Sequence, residues 1–216
     1  NLAGGKASLT TPGLTAGARQ ITASYSGDSS FLGSATARPL VQNVTCTVIS
    51  GTHNGSITVT GSTCFQGATV NGAVTVAPGA ALAADHSQIN GAVSSNGATA
   101  VRICASTVNG AVSLTKTSGF VLIGDGGDRD DSMAPCGGNV IKQSVTITKS
   151  SGSVELGGNT ITGAVSVTGT TGAPAELERN HLTGALSCTG NVPPPTDDGQ
   201  PNVAASKSGQ CGAPGF

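Results

Sequence analysis

The sequence predicts an all-β chain: a parallel β-helix of about seven coils, preceded by a partial β-sandwich segment. Three observations lead to this prediction. The 216 residues include 33 Gly but four Phe, one Tyr and no Trp, so a core must be narrow and built from small and β-branched residues. A glycine-centred unit recurs along residues 44–190, which is typical of stacked coils. Four of the six cysteines stand six to nine residues before a central position of this unit.

Residues 1–43 contain three strand-like runs, Ala7–Thr11, Gln20–Tyr25 and Pro39–Val44, separated by turn residues. The stretch from Leu9 to Val44, with its core Thr-Ala-Ser-Tyr-Ser-Gly-Asp at 22–28, resembles the C-terminal half of the bacterial immunoglobulin-like repeats of secreted and surface proteins. This resemblance implies that Tyr25 ties a loop through its hydroxyl, as in a tyrosine corner. Three strands alone leave an apolar face and an edge bare. The segment is therefore either truncated or completed by the β-helix or another chain.

The repeat of residues 44–190 reads apolar, Asn or Thr, Gly, Ala or Ser, apolar, Thr or Ser, apolar. Its central positions are 55, 72, 91, 110, 143, 163 and 184. The steps between them are 17, 19, 19, 33, 20 and 21. A step near twenty fits one coil of three short strands, and the step of 33 predicts an inserted loop at 124–138.

Alternation along each unit predicts which side chains face the core. The apolar positions and the central Gly are expected to point inward. The outward positions then form a flat, uncharged face of small residues whose contact residues are Thr58, Thr75, Ser94, Ser113, Thr146, Ser166 and Ser187. Four residues before the central positions stand Ser87, Ser106, Asn139, Asn159 and Asn180. We expect each of these to hydrogen-bond its counterpart in the next coil.

Two phrases carry a further resemblance. Gly-Gly-Asn-Thr-Ile-Thr-Gly at 157–163 and Arg-Asn-His-Leu-Thr-Gly at 179–184 resemble the coils of right-handed pectate-lyase-like β-helices and secreted actinobacterial β-solenoid modules. The resemblance implies a right-handed parallel β-helix. It concerns architecture alone, and no catalytic residue is carried over from it.

The cysteine spacing tests the coil assignment. Cys46 and Cys64 stand nine and eight residues before positions 55 and 72, and Cys104 and Cys136 stand six and seven before 110 and 143. Members of each pair then lie near one corner of neighbouring coils, within reach of a disulfide. Cys188 and Cys211 form the remaining pair and fix a C-terminal cap over residues 191–216. Three disulfides predict an oxidising compartment, secreted or at the cell surface.

The candidate metal ligands are Asp125, Asp128, Asp130 and Asp131, which lie on a Gly-rich stretch. Carboxylates on an irregular loop suit calcium, whose oxygen ligands tolerate varied geometry. The same acids give an alternative, a polysaccharide lyase or glycoside hydrolase that uses the 125–131 loop, because paired carboxylates are the usual machinery for glycan cleavage. A third interpretation is an ordinary solvated turn.

Charge and hydropathy limit the partners. The net charge is −1 with a pI near 6.3, which predicts no nucleic-acid partner. No apolar run is long enough for membrane insertion. The leading hypothesis is a non-catalytic, secreted or cell-surface structural and adhesive rod that contacts a cell-wall or extracellular glycan or protein, with self-association as a further option. The flat face is also similar to the ice-binding faces of β-helical antifreeze proteins, which gives ice binding as another alternative.

Overall fold

The computed structural model describes residues 17–35, 38, 40–125, 136–213 and 216. These residues are all-β, apart from a 3-10 turn at Gln210–Gly212. The chain divides into two compact units, a small one that ends at Cys46 and a larger one that includes Thr47–Phe216.

The small unit contains two antiparallel strand pairs. Strand β1 (Gly17–Ile21) pairs with β4 (Leu40–Val44), and β2 (Ser24–Tyr25) pairs with β3 (Ser34–Ala35). The sequence predicted one continuous strand from Gln20 to Tyr25, whereas the structure interrupts it at residues 22–23. The predicted strand at 7–11 lies outside the described residues. Antiparallel pairs are common to many β folds, so the immunoglobulin-like resemblance stays a prediction.

The loop after β2 is tied by side chains. The Tyr25 hydroxyl donates a hydrogen bond to Oδ2 of Asp28. Oδ1 of Asp28 accepts from the main-chain N–H groups of Ser30 and Phe31 at 2.8 and 2.9 Å. Tyr25 thus holds the neighbouring loop through its hydroxyl, but its partner is a carboxylate three residues downstream.

The larger unit is a parallel β-solenoid with three faces. Strands β5 (Thr47–His53) and β7 (Ser62–Val70) each run through two faces, because Ser62–Gln66 of β7 pairs with β9 while Thr69–Val70 pairs with β10. The first face continues with β9 (Ala81–Asp85), β12 (Ala100–Cys104), β15 (Phe120–Ile123), β18 (Val154–Gly157) and β21 (Glu176–Glu178). The second continues with β10 (Gln88–Ile89), β13 (Thr107–Val108), β16 (Val140–Ile141), β19 (Thr160–Ile161) and β22 (His181–Leu182).

The third face is an eight-stranded parallel sheet within the described residues. Its strands are β6 (Ile57–Val59), β8 (Val74–Val76), β11 (Val93–Asn96), β14 (Val112–Thr115), β17 (Val145–Thr148), β20 (Val165–Thr168), β23 (Ala185–Thr189) and β24 (Ser206–Gly209). One strand per turn gives about eight turns. This confirms the parallel coil architecture that the repeat predicted.

The core is a slim column of aliphatic side chains. Inward residues from successive coils stack in register, as Val74, Val93, Val112 and Val145 do on the third face, and all four are fully buried. Phe65 is the buried aromatic residue of the described core. Burying such side chains stabilises each coil by about 1.5–3 kcal/mol per large residue, so stability accumulates coil by coil.

The role predicted for the central glycines was wrong. A Cβ built on Gly91 would lie 2.5 Å from the main-chain N of Ala73, and one on Gly110 would lie 2.5 Å from the N of Ala92. The missing side chain therefore points along the axis at the preceding coil and not into the core. Glycine is required because two backbones approach closely at this corner, where Gly91 N–H donates to the Gly72 carbonyl at 3.0 Å.

A buried polar ladder runs along the corner between the first and second faces, as the sequence predicted. Its members are Ser87, Ser106, Asn139, Asn159, Asn180 and Asn202, all at most 4% exposed. Each side-chain oxygen accepts from the main-chain N–H of the ladder residue one coil earlier, and at Ser87 the donor is the N–H of Ala68. The ladder fixes the register between coils because every rung satisfies main-chain groups that no water reaches.

The C-terminal segment forms an additional coil, which corrects the predicted count of seven. β24 continues the third face, and parallel bridges join Val192, Thr196 and Val203 to the coil before them. The repeat did not predict this coil because residues 191–216 lack the glycine-centred unit. Backbone pairing along a parallel edge needs no particular side chains, so an irregular segment can still complete the turn.

This last coil also closes the end of the core. Cys211 is fully buried, and Phe216 packs against the hydrophobic column. Lys207 occupies an inward register position beside Leu186, and its Nζ donates to the main-chain oxygen of Phe216 at 2.8 Å. The segment that the sequence predicted as a cap over 191–216 therefore continues the solenoid, and it is more regular than a cap was expected to be.

Candidate functional site

The third face, called the hydroxyl face below, presents an unbroken row of hydroxyl side chains. Thr58, Thr75, Ser94, Ser113, Thr146, Ser166 and Ser187 are register neighbours, and Ser208 adds an eighth rung. The inserted loop does not interrupt this row, because Ser113 pairs directly with Thr146. Parallel strands lie about 4.8 Å apart, so the row is about 34 Å long.

Small uncharged residues also occupy the two flanking rows. One row carries Ser56, Ala73, Ala92, Ala111, Ser144, Ala164, Ala185 and Ser206. The other carries Asn96, Thr115, Thr148, Thr168 and Thr189 in register. These rows widen the flat surface to about 14 Å, since alternate residues of a strand are about 7 Å apart.

Most hydroxyls of this face are available to a partner. Thr75 and Ser94 approach each other at 3.5 Å, and Ser166 and Thr168 at 3.4 Å. Within the part of the chain that the structure describes, the hydroxyl of Ser113 has no protein hydrogen-bond partner. Short side chains lose little conformational freedom when they are covered, so such a surface is suited to extended contact.

The borders of the hydroxyl face are polar. At one border the side chains of Asn54, Asn71, Asn90 and Asn109 hydrogen-bond one to the next at 2.7–2.8 Å, and all but the half-buried Asn109 are exposed. At the other border Lys116 and Lys149 occupy corner positions with φ of +53° and +54°. The lysine charges therefore lie at the edge, and the outward positions of the face itself carry none among the described residues.

The structure describes one of the four candidate calcium ligands. Asp125 is buried, and its Oδ2 accepts from the main-chain N–H of Cys136 at 2.8 Å. The Asp125 N–H in turn donates to the Cys136 carbonyl at 3.0 Å. This pair closes the base of the insertion. Asp128, Asp130 and Asp131 lie outside the described residues, so the calcium and glycan-cleavage hypotheses stay predictions.

Sequence reasoning missed a pair of glutamates on the first face. Glu155 and Glu176 are register neighbours on adjacent coils. They line a cavity of about 180 Å³ together with Phe120, Val121, Ser153, Val154 and Pro174. The signal in the sequence is the pair Glu-Leu recurring 21 residues apart, one coil length, which the glycine-centred unit did not capture. Among the described residues, no group of three or more His, Cys, Asp or Glu is placed to hold a metal ion.

Two of the three predicted disulfide pairings are seen in the structure. Cys104 bonds Cys136 with a Cα–Cα distance of 4.9 Å, and Cys188 bonds Cys211 at 5.2 Å. Cys46 and Cys64 are also disulfide-bonded, and no described cysteine is free. Cys104, Cys136 and Leu122 form a small buried cluster with Phe120 on the outer side of the first face.

The fold and this face define the chain as a disulfide-bonded parallel β-solenoid. Comparisons with family models, with curated proteins and with solved structures found no match. In the part of the chain that the structure describes, no helix is long and apolar enough to cross a membrane.

Proposed function

We propose that the chain is a non-catalytic extracellular module, a rigid rod whose hydroxyl face makes lateral contact with cell-wall glycan. The observation that carries this proposal is the eight-rung row from Thr58 to Ser208, flanked by two further rows of small uncharged side chains. Hydroxyl groups both donate and accept hydrogen bonds, as the hydroxyls of a polysaccharide do. A flat, regular face matches an extended polymer better than a concave site does.

The rigidity of the rod supports this proposal. The buried ladder, the stacked backbone pairs and the disulfides hold successive coils in one register. A surface that is already ordered loses little entropy when it binds, which favours affinity from many weak contacts. Three disulfides also favour an oxidising, extracellular setting.

The test is co-sedimentation of the purified chain with insoluble peptidoglycan. Thr75→Lys/Ser113→Lys places two long charged side chains at exposed positions of the hydroxyl face. Gln88→Lys/Thr160→Lys is the matched control, because both residues are exposed on strands of the second face. We expect the wild type and the control to sediment with peptidoglycan and the face variant to stay in solution. Equal sedimentation of all three, or none of the wild type, contradicts the proposal.

A second candidate, ice binding, rests on the same rows for a different reason. Hydroxyl and methyl groups repeat at strand spacing in two directions, and such a lattice can order water. Thermal hysteresis and ice-crystal shaping measure this directly. We expect Thr75→Lys/Ser113→Lys to abolish any activity while Gln88→Lys/Thr160→Lys retains it. Absence of hysteresis in concentrated wild-type protein removes this candidate and leaves the glycan proposal standing.

A further inference from the structure

Four Asn-Gly dipeptides stack at one corner of the solenoid, and their surroundings differ from coil to coil. The pairs are Asn54-Gly55, Asn71-Gly72, Asn90-Gly91 and Asn109-Gly110. Nδ2 of each later Asn donates to Oδ1 of the Asn one coil earlier, at 2.8, 2.8 and 2.7 Å. Within the described residues, the Nδ2 of Asn54 has no such acceptor, because Asn54 is the first rung.

The main-chain N–H groups of the glycines also differ: those at the last two of the four corners have an acceptor in the coil before them, and that at the first corner does not, within the described residues. The N–H of Gly91 donates to the Gly72 carbonyl at 3.0 Å, and that of Gly110 donates to the Gly91 carbonyl at 3.1 Å. In the described part of the chain, the N–H of Gly55 has no acceptor. Gly55 is exposed with φ of +98°, whereas Gly110 is buried. At the first corner the main-chain nitrogen of Gly55 is therefore not held by a hydrogen bond among the described residues, and Gly55 is exposed to solvent.

We propose that Asn54 is a site of spontaneous deamidation in the folded protein. The main-chain nitrogen of Gly55, after losing its proton to solvent base, attacks Cγ of Asn54. A new C–N bond closes a succinimide ring, the bond from Cγ to Nδ2 breaks, and the amide leaves as ammonia after taking up a proton. Water then opens the ring at either carbonyl, which yields aspartate or isoaspartate at position 54. Solvent supplies the base and the water.

The fold protects the other corners against the same reaction. At Gly91 and Gly110 the attacking nitrogen is held in a hydrogen bond between coils, and Nδ2 of the Asn, the leaving group, donates in the ladder, whereas Asn54 takes part in the ladder only as an acceptor through Oδ1. Breaking one such bond reduces the reactive population by about two- to tenfold, and both must break. Asn71 is intermediate, because its side chain is held while the Gly72 N–H has no acceptor among the described residues.

The modification changes the border of the hydroxyl face. An aspartate at position 54 places a negative charge two residues from Ser56, at the first rung of that face. It still accepts the hydrogen bond from Asn71, so the second rung is retained. Isoaspartate instead adds an atom to the main chain and changes the path of the corner.

The experiment incubates the intact, disulfide-bonded protein at mildly alkaline pH and follows each Asn by peptide mass spectrometry. A protease of broad specificity is needed, because no Lys or Arg separates Asn54, Asn71 and Asn90. We expect Asn54 to deamidate at least about tenfold faster than Asn90 and Asn109. In the reduced, denatured chain all four should react at closely similar rates, since each is followed by Gly and a small residue. Asn54→Gln should remove the early product without changing Asn90 and Asn109, whose ladder bonds do not involve position 54.

Two results overturn the proposal. One is a native chain in which Asn90 or Asn109 reacts as fast as Asn54. The other is an intact Asn54 in native protein under conditions in which the denatured chain is modified. The denatured sample gives the deamidation rate that each Asn has from its sequence alone, so any difference in the native protein is due to the fold.

Discussion

Asn159 and Asn180 are joined by two hydrogen bonds: Oδ1 of Asn180 accepts from the main-chain N–H of Asn159 at 3.1 Å and from its Nδ2 at 2.9 Å. Nδ2 of Asn159 also donates to the Ile123 carbonyl at 2.6 Å. The side-chain amides of the ladder thus satisfy main-chain groups of neighbouring coils at buried positions, since Asn159 is 1% exposed. This relationship repeats along the ladder and sets the register on which the hydroxyl face depends.

Asn159→Ala is expected to lower the free energy of unfolding by about 3 kcal/mol, because it leaves the Asn139 N–H and the Ile123 carbonyl buried without partners. Asn90→Ala is the matched control. It removes one rung of the exposed ladder, where water replaces the lost bonds, and it should cost under about 1 kcal/mol. Urea unfolding measures both variants. Equal losses would show that the buried ladder has no special role.

Gly91→Ala is expected to destabilise the chain by about 3 kcal/mol or more, because the new Cβ would lie 2.5 Å from the Ala73 nitrogen and neither backbone can withdraw. Gly61→Ala provides the comparison, since a Cβ there meets nothing within 4 Å. Its change should stay within about 0.5 kcal/mol. Thermal unfolding of the two variants separates close backbone approach from a general intolerance of alanine.

Lys149→Gly is expected to stabilise the solenoid by about 1 kcal/mol. Lys149 has φ of +54°, a region that costs a non-glycine residue about 1–2 kcal/mol. Gly169 is its counterpart one coil later, with φ of +64°, and Gly169→Ala should be destabilising by a similar amount. Chemical denaturation tests the pair. The prediction fails if both substitutions change stability in the same direction.

Cys188→Ala/Cys211→Ala is expected to reduce stability by about 3 kcal/mol, because the bridge closes a loop with a sequence separation of 23. The loss should be local, since each coil contacts its neighbours alone. Hydrogen exchange should accelerate over residues 190–216 while β8 and β11 keep their protection. Uniform acceleration along the solenoid would instead indicate a single cooperative unit.

Tyr25 is expected to titrate above its ordinary pKa of 10.0. Its hydroxyl donates to Asp28, and this hydrogen bond is lost on ionisation, which raises the pKa of Tyr25. The same bond lowers the pKa of Asp28 below 3.8. The hydrogen bond between Tyr25 and Asp28 is therefore fully formed between these two pKa values. It weakens as pH falls through the lowered pKa of Asp28 and is lost as pH rises through the raised pKa of Tyr25.

The absorbance of tyrosinate measures this titration cleanly, because Tyr25 is the single tyrosine and the chain has no Trp. Asp28→Ala should move the midpoint down toward 10.0. An unchanged midpoint in that variant would mean that Asp28 does not perturb the hydroxyl. Thr22→Ala on the preceding segment is a control that should leave the midpoint unchanged.

The sequence by itself determined the coil architecture, because one glycine-centred unit and one Asn or Ser position recur at the length of a turn. Those periods also determined the disulfide spacing and the row from Thr58 to Ser187, since alternation along a strand fixes which side chains face out. Only the tertiary structure decided why the central glycines are needed, because a clash between backbones of different coils leaves no trace in residue spacing. It also decided the additional coil at the C-terminus and the pairing of Glu155 with Glu176, since main-chain pairing between stacked edges brings together residues that share no repeated motif.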